Sequence, residues 1–373
     1  MVDRRVRIVR TPVTPAEYAF ADGDLRKHSR LRIEFPEIAK RLARKASMRE
    51  YPEVWVGGWY PIARQAVEQA VAAIGPDVLV ASASPAVSHA VVAAVGQAHS
   101  VPYVLDYRDA SFFSTITGER EFPSTSPMAK QEADQLDGAL EAWFVNDAIR
   151  DRYAGEYPNA AARMRVVPNG WDDSAGLRQR KHLEPRDSPL FGYLGTLHAT
   201  QIPIDATIDA WAGFVLEHPG ARMLFKGYGL DPRVAPPGLV ERFHSTPGLR
   251  HEGPMPRAQV GEFYASVDAL LMLIPGGQYM TGGKTMEYLA TGLPIVSAHE
   301  YDNPLTQLLE PYPLWFKAAT IDAAGIRAAL EAAAAELRQP DRTRWDAAWE
   351  YGAQFARQAI LEPRLAVIEE ALG

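Results

Sequence analysis

From Pro61 onward the apolar positions alternate between two periods. PIARQAVEQAVAAIG spaces its apolar residues three and four apart and stops at Gly75, which predicts a helix, whereas DVLVASA is a short apolar run of the strand kind. AVSHAVVAAVGQAH then reads as a helix ahead of the strand PYVLDY. The pattern continues with MAKQEADQLDGALEA as a helix, AWFV as a strand, a helix from about Asp147 that Asn146 can cap, and MRVVPNG as a strand. Strands separated by helices of this length must be joined by crossovers. The sheet is therefore expected to be parallel.

Residues 172–189, DDSAGLRQRKHLEPRDSP, are polar, charged and poor in large apolar side chains, and they mark a domain boundary. A second alternating series follows: strand LFGYLG, helix PIDATIDAWAGFVLEH, strand ARMLFKG, helix RAQVGEFYASV, strand ALLMLI, and finally strand PIVSA. WDAAWEYGAQFARQAILEPRLAVIEEAL predicts a long amphipathic helix interrupted at Pro363. The expected division is a first domain over 1–178, a second over 179–342, and a C-terminal helix over 343–373 that crosses back to the first. No internal sequence repeat is present. The expected fold class is α/β, with two doubly wound, Rossmann-like domains facing a cleft into which strand-end loops bring ligand-binding groups.

A chain of 373 residues exceeds what one core usually supports, which agrees with two domains. Zero cysteines exclude a disulfide framework, a thiolate metal site and a cysteine nucleophile. A formal charge of -7 argues against broad attachment to nucleic acid. The start, MVDRRVRIVRTPV, lacks the apolar core of a signal peptide, and no stretch nears the roughly 20 apolar residues that span a bilayer. A cytoplasmic location is expected. LRKHSRLRIEFPEIAKRLARKASMREY reads first as a solvated helical face, and second as a peripheral contact with the anionic inner surface of a membrane.

TGGKTMEYLATGLPIV concentrates the candidate chemistry. Gly282 and Gly283 permit close backbone approach, and Lys284 and Thr285 open a short helix whose first amides favour an anion. This is not a Walker loop, because the earlier glycine is missing. Alone, the pair of glycines would be an ordinary tight turn. In context the segment resembles the nucleotide-sugar signature of the glycosyltransferases with two Rossmann-like domains, the GT-B fold, and in particular the GT4-like retaining branch. VPYVLDYRDAS resembles the acceptor-side strand and its Asp-x-Arg-Asp loop, VVPNGWD the end of the first domain, and FGYLGTL the first strand and glycine loop of the donor domain. HEGPMPRAQVGEFYASVDALLMLI is similar to the helix and strand that precede the signature. The resemblance covers roughly residues 55–300.

The resemblance implies transfer of a sugar from a nucleotide-diphosphate donor to a hydroxyl acceptor such as a glycan, a lipid-linked glycan or a small metabolite, with no metal and no further cofactor. Gly195, Thr196, Gly282, Gly283, Lys284 and Thr285 would hold the diphosphate, and Glu287 matches the ribose-binding glutamate. The chain departs from the pattern twice. The loop GTLHATQIP offers only His198 where relatives place an arginine and a lysine, so Lys226 becomes the substitute cation, and Tyr279 stands where the first signature glutamate would fall. On the acceptor side, Asp106, Arg108 and Asp109 are the candidate catalytic residues, Asp109 orienting the acceptor, with an internal Arg–Asp ion pair as the plain alternative. Asn169 belongs to the Pro-Asn-Gly loop that faces the cleft in relatives. Asp22-Gly23-Asp24 superficially matches a metal motif of the other large glycosyltransferase fold, but Asp-Gly is a favoured turn and the triplet follows no donor-domain strand. The usual first strand, glycine loop and helix are not recognisable at the N-terminus. Two alternatives stand beside transfer: a nucleotide-sugar 2-epimerase of the same fold, and a catalytically silent nucleotide-sugar binding subunit. A Rossmann dehydrogenase lacks its Gly-x-Gly-x-x-Gly loop here.

Overall fold

The computed structural model describes residues 6–11, 38, 41, 42, 45, 51, 53, 57–173, 176–180, 183–197, 202–230, 232, 233, 235–274, 277–300 and 302–373. The chain forms two compact units, Met1–Ser114 with Glu119–Val166, and Thr115–Gly118 with Val167–Gly373.

In the first unit a short 3₁₀ turn, Gly57–Trp59, leads into helix α1 (Tyr60–Ile74), followed by β1 (Leu79–Ala83), α2 (Val87–His99), β2 (Tyr103–Tyr107), α3 (Pro127–Gly138), β3 (Glu141–Phe144), α4 (Asp147–Glu156) and β4 (Met164–Val166). All pairings are parallel and the order is β1-β2-β3-β4. Because the strands advance in one direction, right-handed crossovers put α2, α3 and α4 on one face. Local signals explain the helix ends. Gly75 closes α1 at φ 61°, Ser126 caps α3 by accepting from Ala129 N at 3.2 Å, and Asn146 caps α4 from Ile149 N at 2.9 Å, as its side chain predicts. The core between sheet and helices is aromatic: the Tyr107 and Phe144 rings stack at 5.0 Å, and Tyr153 of α4 meets Phe144 at 4.7 Å.

The second unit runs β5 (Leu190–Leu194), α5 (Ile204–Glu217), β6 (Arg222–Lys226), α6 (Leu239–Ser245), β7 (Leu249–His251), α7 (Val260–Ser266), β8 (Ala269–Leu273), α8 (Thr285–Thr291), β9 (Ile295–Ala298), α9 (Leu305–Leu309), β10 (Trp315–Lys317), α10 (Ala323–Arg338), α11 (Arg342–Ala353) and α12 (Arg357–Leu372). Its six parallel strands are ordered β10-β9-β8-β5-β6-β7, the doubly wound arrangement that the alternation predicts. Period-two burial separates two cores. Phe191, Leu271 and Leu273 join one with Trp211 and Phe214, while Leu194, Leu270 and Met272 join the other with Tyr264 and Tyr288. The continuous apolar run ALLML is thus a strand buried on both faces.

The pattern reading leaves out β7 and β10, three residues each at the sheet edges, where partial exposure removes the apolar signature. It also passes over α10, whose Asp322 cap, accepting from Gly325 N at 2.8 Å, was legible. The expected interruption at Pro363 lies elsewhere. The chain breaks between α11 and α12, where Trp171 N donates to Phe355 O at 2.9 Å and Arg357 N to Trp171 O at 2.7 Å, while Pro363 sits inside α12. This bridge holds Ala356 out of helical geometry, at φ -57° and ψ 132°, between the two helices. Among the described residues no helix is long and apolar enough to cross a membrane.

Two stability predictions follow from this packing. A Cβ on Gly352 of α11 would lie 2.0 Å from the Leu289 carbonyl of α8, so Gly352→Val is expected to cost about 1–3 kcal/mol in urea unfolding. His89 and His299 are each buried, and burial lowers both from 6.5 to about 4, with Lys317 adding to the effect at His299. The unfolded chain therefore takes up protons near pH 6.5 that the folded chain refuses until about pH 4. Their contribution is complete above that window and is lost as pH falls through it, so His89→Gln is expected to flatten the acid limb of a stability-against-pH curve.

Candidate functional site

Strand order reverses between β5 and β8: the chain leaves β5 toward β6 on one side and returns to β8 on the other. Loops that leave the carboxyl ends of these two strands diverge and open a crevice. Gly195 and Thr196 follow β5, and Gly282, Gly283, Lys284 and Thr285 follow β8. The loop ends are tied by backbone bonds, Gly195 N to Lys226 O at 2.9 Å and Gly227 N to Gly253 O at 2.9 Å. Gly227 has φ 126°, and a Cβ there would meet the Gly195 carbonyl at 2.0 Å, so this crossing of strand ends requires glycine.

Helix α8 is held in place from three sides. The Leu194 N–H at the end of β5 donates to the Tyr288 hydroxyl at 3.0 Å, the Thr285 hydroxyl packs against Met272 Sδ at 4.0 Å, and Gly352 lets α11 rest on the Leu289 backbone. Thr285 is thereby buried, with its side chain turned to the sheet, whereas Gly283 is exposed and a methyl there would meet nothing within 4 Å.

Glu287 is the chemical centre of this region. Its side chain is 8% exposed and takes three donors: Arg257 Nη1 to Oε1 at 2.5 Å, Tyr264 Oη to Oε2 at 3.0 Å, and Lys284 Nζ to Oε2 at 3.2 Å. Burial pushes the Tyr264 phenol well up, so it remains a donor, and the hydrogen bond to Glu287 raises the Arg257 guanidinium further. Both cations are partly open to solvent, at 51% and 40%, so each can turn from the carboxylate to an incoming anion. Sequence reading singled out neither Arg257 nor Tyr264. Both lie within HEGPMPRAQVGEFYASVDALLMLI, Arg257 on a 3₁₀ turn (Arg257–Gln259) and Tyr264 on α7, and only the tertiary structure brings them to Glu287.

The other expected residues fall as follows. Lys226, proposed as the substitute cation, is paired with Glu252 at 2.6 Å, and Thr196 offers its carbonyl to the Tyr193 hydroxyl at 3.1 Å. His198 and the triplet Asp22, Gly23, Asp24 lie outside the described residues. Tyr279, at the position of the first signature glutamate, is 8% exposed, and a Cβ on Gly118 would stand 3.2 Å from its ring. Asn169 precedes Gly170, whose φ of 62° and 3.0 Å clearance from Arg357 Cα make a tight turn. Lys226, Thr196, Tyr279 and Asn169 belong to the second unit.

Asp106, Arg108 and Asp109 lie at the carboxyl end of β2 in the first unit. Arg108 grips Asp106 with two nitrogens, Nε at 2.7 Å and Nη2 at 2.5 Å, so the internal ion pair is present. Asp109 is exposed. Behind the loop, the His89 ring lies 3.2 Å from the Asp106 carbonyl; burial keeps the imidazole neutral, so a protonated Nε2 is the donor. Among the described residues no group of three His, Asp or Glu side chains is arranged to hold a metal ion.

No protein-family model matches the chain, and no curated protein matches it. Solved structures do. The Anabaena protein HepE, crystallised with UDP, aligns with a TM-score of 0.58 at 15% identity, over 83% of this chain and 82% of its own. Sucrose-phosphate synthase from Thermosynechococcus elongatus aligns at 0.57 and 16% identity, over 84% and 78%. A UDP-N-acetylglucosamine 2-epimerase assigned in Listeria monocytogenes aligns at 0.53 and 13%, over 84% and 79%. At these identities the likeness concerns the fold, and the fold of this chain is the two-domain, Rossmann-like GT-B arrangement.

Proposed function

We propose that this protein is a glycosyltransferase that takes a hexose-type sugar from a nucleotide-diphosphate donor and passes it to a hydroxyl acceptor, with retention of anomeric configuration and without a metal. The observation that carries this reading is the buried Glu287 carboxylate flanked by two half-exposed cations, Arg257 and Lys284, beside the glycine loops at the strand reversal. A carboxylate has about four acceptor positions, and two vicinal ribose hydroxyls can share them. Arg257 and Lys284 then turn to the diphosphate, replacing the basic residues that the loop after β5 lacks. This supplies the charge for a leaving phosphate without a divalent ion. The UDP carried by HepE, a protein of the same fold, supports the choice of ligand class.

In the reaction we infer, the acceptor hydroxyl approaches the anomeric carbon from the face that the diphosphate leaves. A donor phosphate oxygen takes the hydroxyl proton, and Lys284, Arg257 and the exposed Gly283 backbone stabilise the departing charge. Asp109, exposed on the loop after β2, orients the acceptor, and the Asp106–Arg108 pair holds that loop.

Calorimetry with a panel of nucleoside diphosphates is expected to find a ligand for the purified chain. Glu287→Ala is expected to weaken it by about 2 kcal/mol, roughly 30-fold, and Lys284→Ala by roughly 10-fold. A folded Glu287→Ala protein that binds as tightly as the parent would falsify the ribose assignment. Transfer is expected to survive chelator. Full loss, with rescue by manganese, would overturn the metal-free reading, and a product that is the donor inverted at C2 would assign epimerisation instead.

A further inference from the structure

The first unit buries a carboxylate that the proposed reaction does not use. Glu132 of α3 is 6% exposed and lies in an aromatic cage. It accepts from the Tyr157 hydroxyl at 2.7 Å and from the Tyr153 hydroxyl at 3.1 Å. The Tyr153 oxygen in turn accepts the backbone N–H of Ser111 at 2.8 Å. Ser111 follows Asp109 by two residues, and Phe112 and Phe113 beside it pack on Tyr153 at 4.8 Å and 6.1 Å. The loop that carries Asp106, Arg108 and Asp109 is thus pinned at both ends, by His89 at the Asp106 carbonyl and by Tyr153 at the Ser111 amide.

We propose that Glu132, acting through Tyr153, is a positioning residue for the loop of residues 106–111 and so for Asp109. The carboxylate draws the phenolic proton of Tyr153 to itself, which leaves the phenolic oxygen facing Ser111 as an acceptor. A charge-assisted bond of this kind polarises the next one in the chain. A bare packing carboxylate would have no reason to sit here, because burying an acid among aromatic rings is costly unless its bonds are used.

The groups facing Glu132 are Tyr107 from β2, Tyr153 from α4, Tyr157 just beyond it, Ser111 from the loop, and, at longer range, Tyr51 and Arg120. Burial raises Glu132 from 4.5 to about 7, against the lowering effect of its hydroxyl donors. The relay is therefore ionised on the alkaline side of neutrality. Since the folded value is raised, the contribution of Glu132 to stability is complete below about pH 4.5 and is lost as pH rises to about 7, while the hold on Ser111 tightens as Glu132 ionises around pH 7.

The role of Asp109 in acceptor binding rests on the glycosyltransferase reading, so the test has one readout that needs no turnover. In hydrogen exchange on the full chain, Tyr153→Phe is expected to speed exchange of the Ser111 amide at least 10-fold with the amides of β6 and β8 unchanged. Glu132→Gln, which keeps an acceptor for Tyr153, is expected to give a smaller increase and to remove the pH dependence between 6 and 8. In turnover, Tyr153→Phe is expected to raise the acceptor KM several-fold and leave nucleoside diphosphate affinity unchanged. Unchanged Ser111 exchange in Tyr153→Phe overturns the positioning role outright, and so does faster exchange with an unaltered acceptor KM. A parent that transfers no sugar, yet shows the exchange effect, overturns the enzymatic reading and leaves the pinned loop in place.

Discussion

Every strand in both sheets is parallel, and this constraint organises the rest of the molecule. A parallel pair cannot be closed by a hairpin, so each strand must be followed by a crossover and all strand carboxyl ends emerge on one edge of their sheet. Asp106 and Arg108 therefore gather at one end of the first unit, and Gly195, Lys226 and Gly283 at one end of the second. What separates the two sheets is direction. The first advances strand by strand, whereas the second reverses between β5 and β8, and only a reversal pulls neighbouring loops apart.

At that reversal the electrostatics are arranged for exchange rather than for rigidity. Glu287 is desolvated and needs partners, since a buried carboxylate without donors is expensive. Of its three partners, only Tyr264 is buried with it. Arg257 and Lys284 reach in from solvent, where ion pairs contribute little to stability. Turning either cation away from Glu287 leaves Tyr264 as its buried donor, so the carboxylate then needs other hydroxyl donors in their place. Lys226 shows the contrast: its partner Glu252 is itself 47% exposed, and the pair can remain intact beside the site.

The first unit solves the opposite problem, holding an exposed loop still. Asp109 stands in water, so it depends on buried anchors at both ends of its loop. A neutral histidine serves the Asp106 carbonyl and a tyrosine backed by a carboxylate serves the Ser111 amide. Both anchors titrate away from their ordinary values because they are buried, and in opposite senses: the histidine resists gaining charge, and the glutamate resists losing its proton.

The sequence by itself determined the alternation of strands and helices, the parallel sheets, the caps at Asn146 and Gly75 and the glycine loop at Gly282 and Gly283, because these follow from local periodicity and backbone preference. Resemblance to the nucleotide-sugar signature, rather than local pattern, singled out Glu287 and the loop of Asp106, Arg108 and Asp109. Local pattern missed the short edge strands β7 and β10, whose partial exposure leaves no apolar period, and it placed the C-terminal break at Pro363 when pairing with the distant Trp171 sets it at residues 354–356. Only the tertiary structure brought Arg257 and Tyr264 to Glu287, and Tyr153 and Glu132 to Ser111. These partners stand 30, 23, 42 and 21 residues apart in their respective bonds, and contact across such spans is decided by how helices pack on a sheet, which no local pattern records.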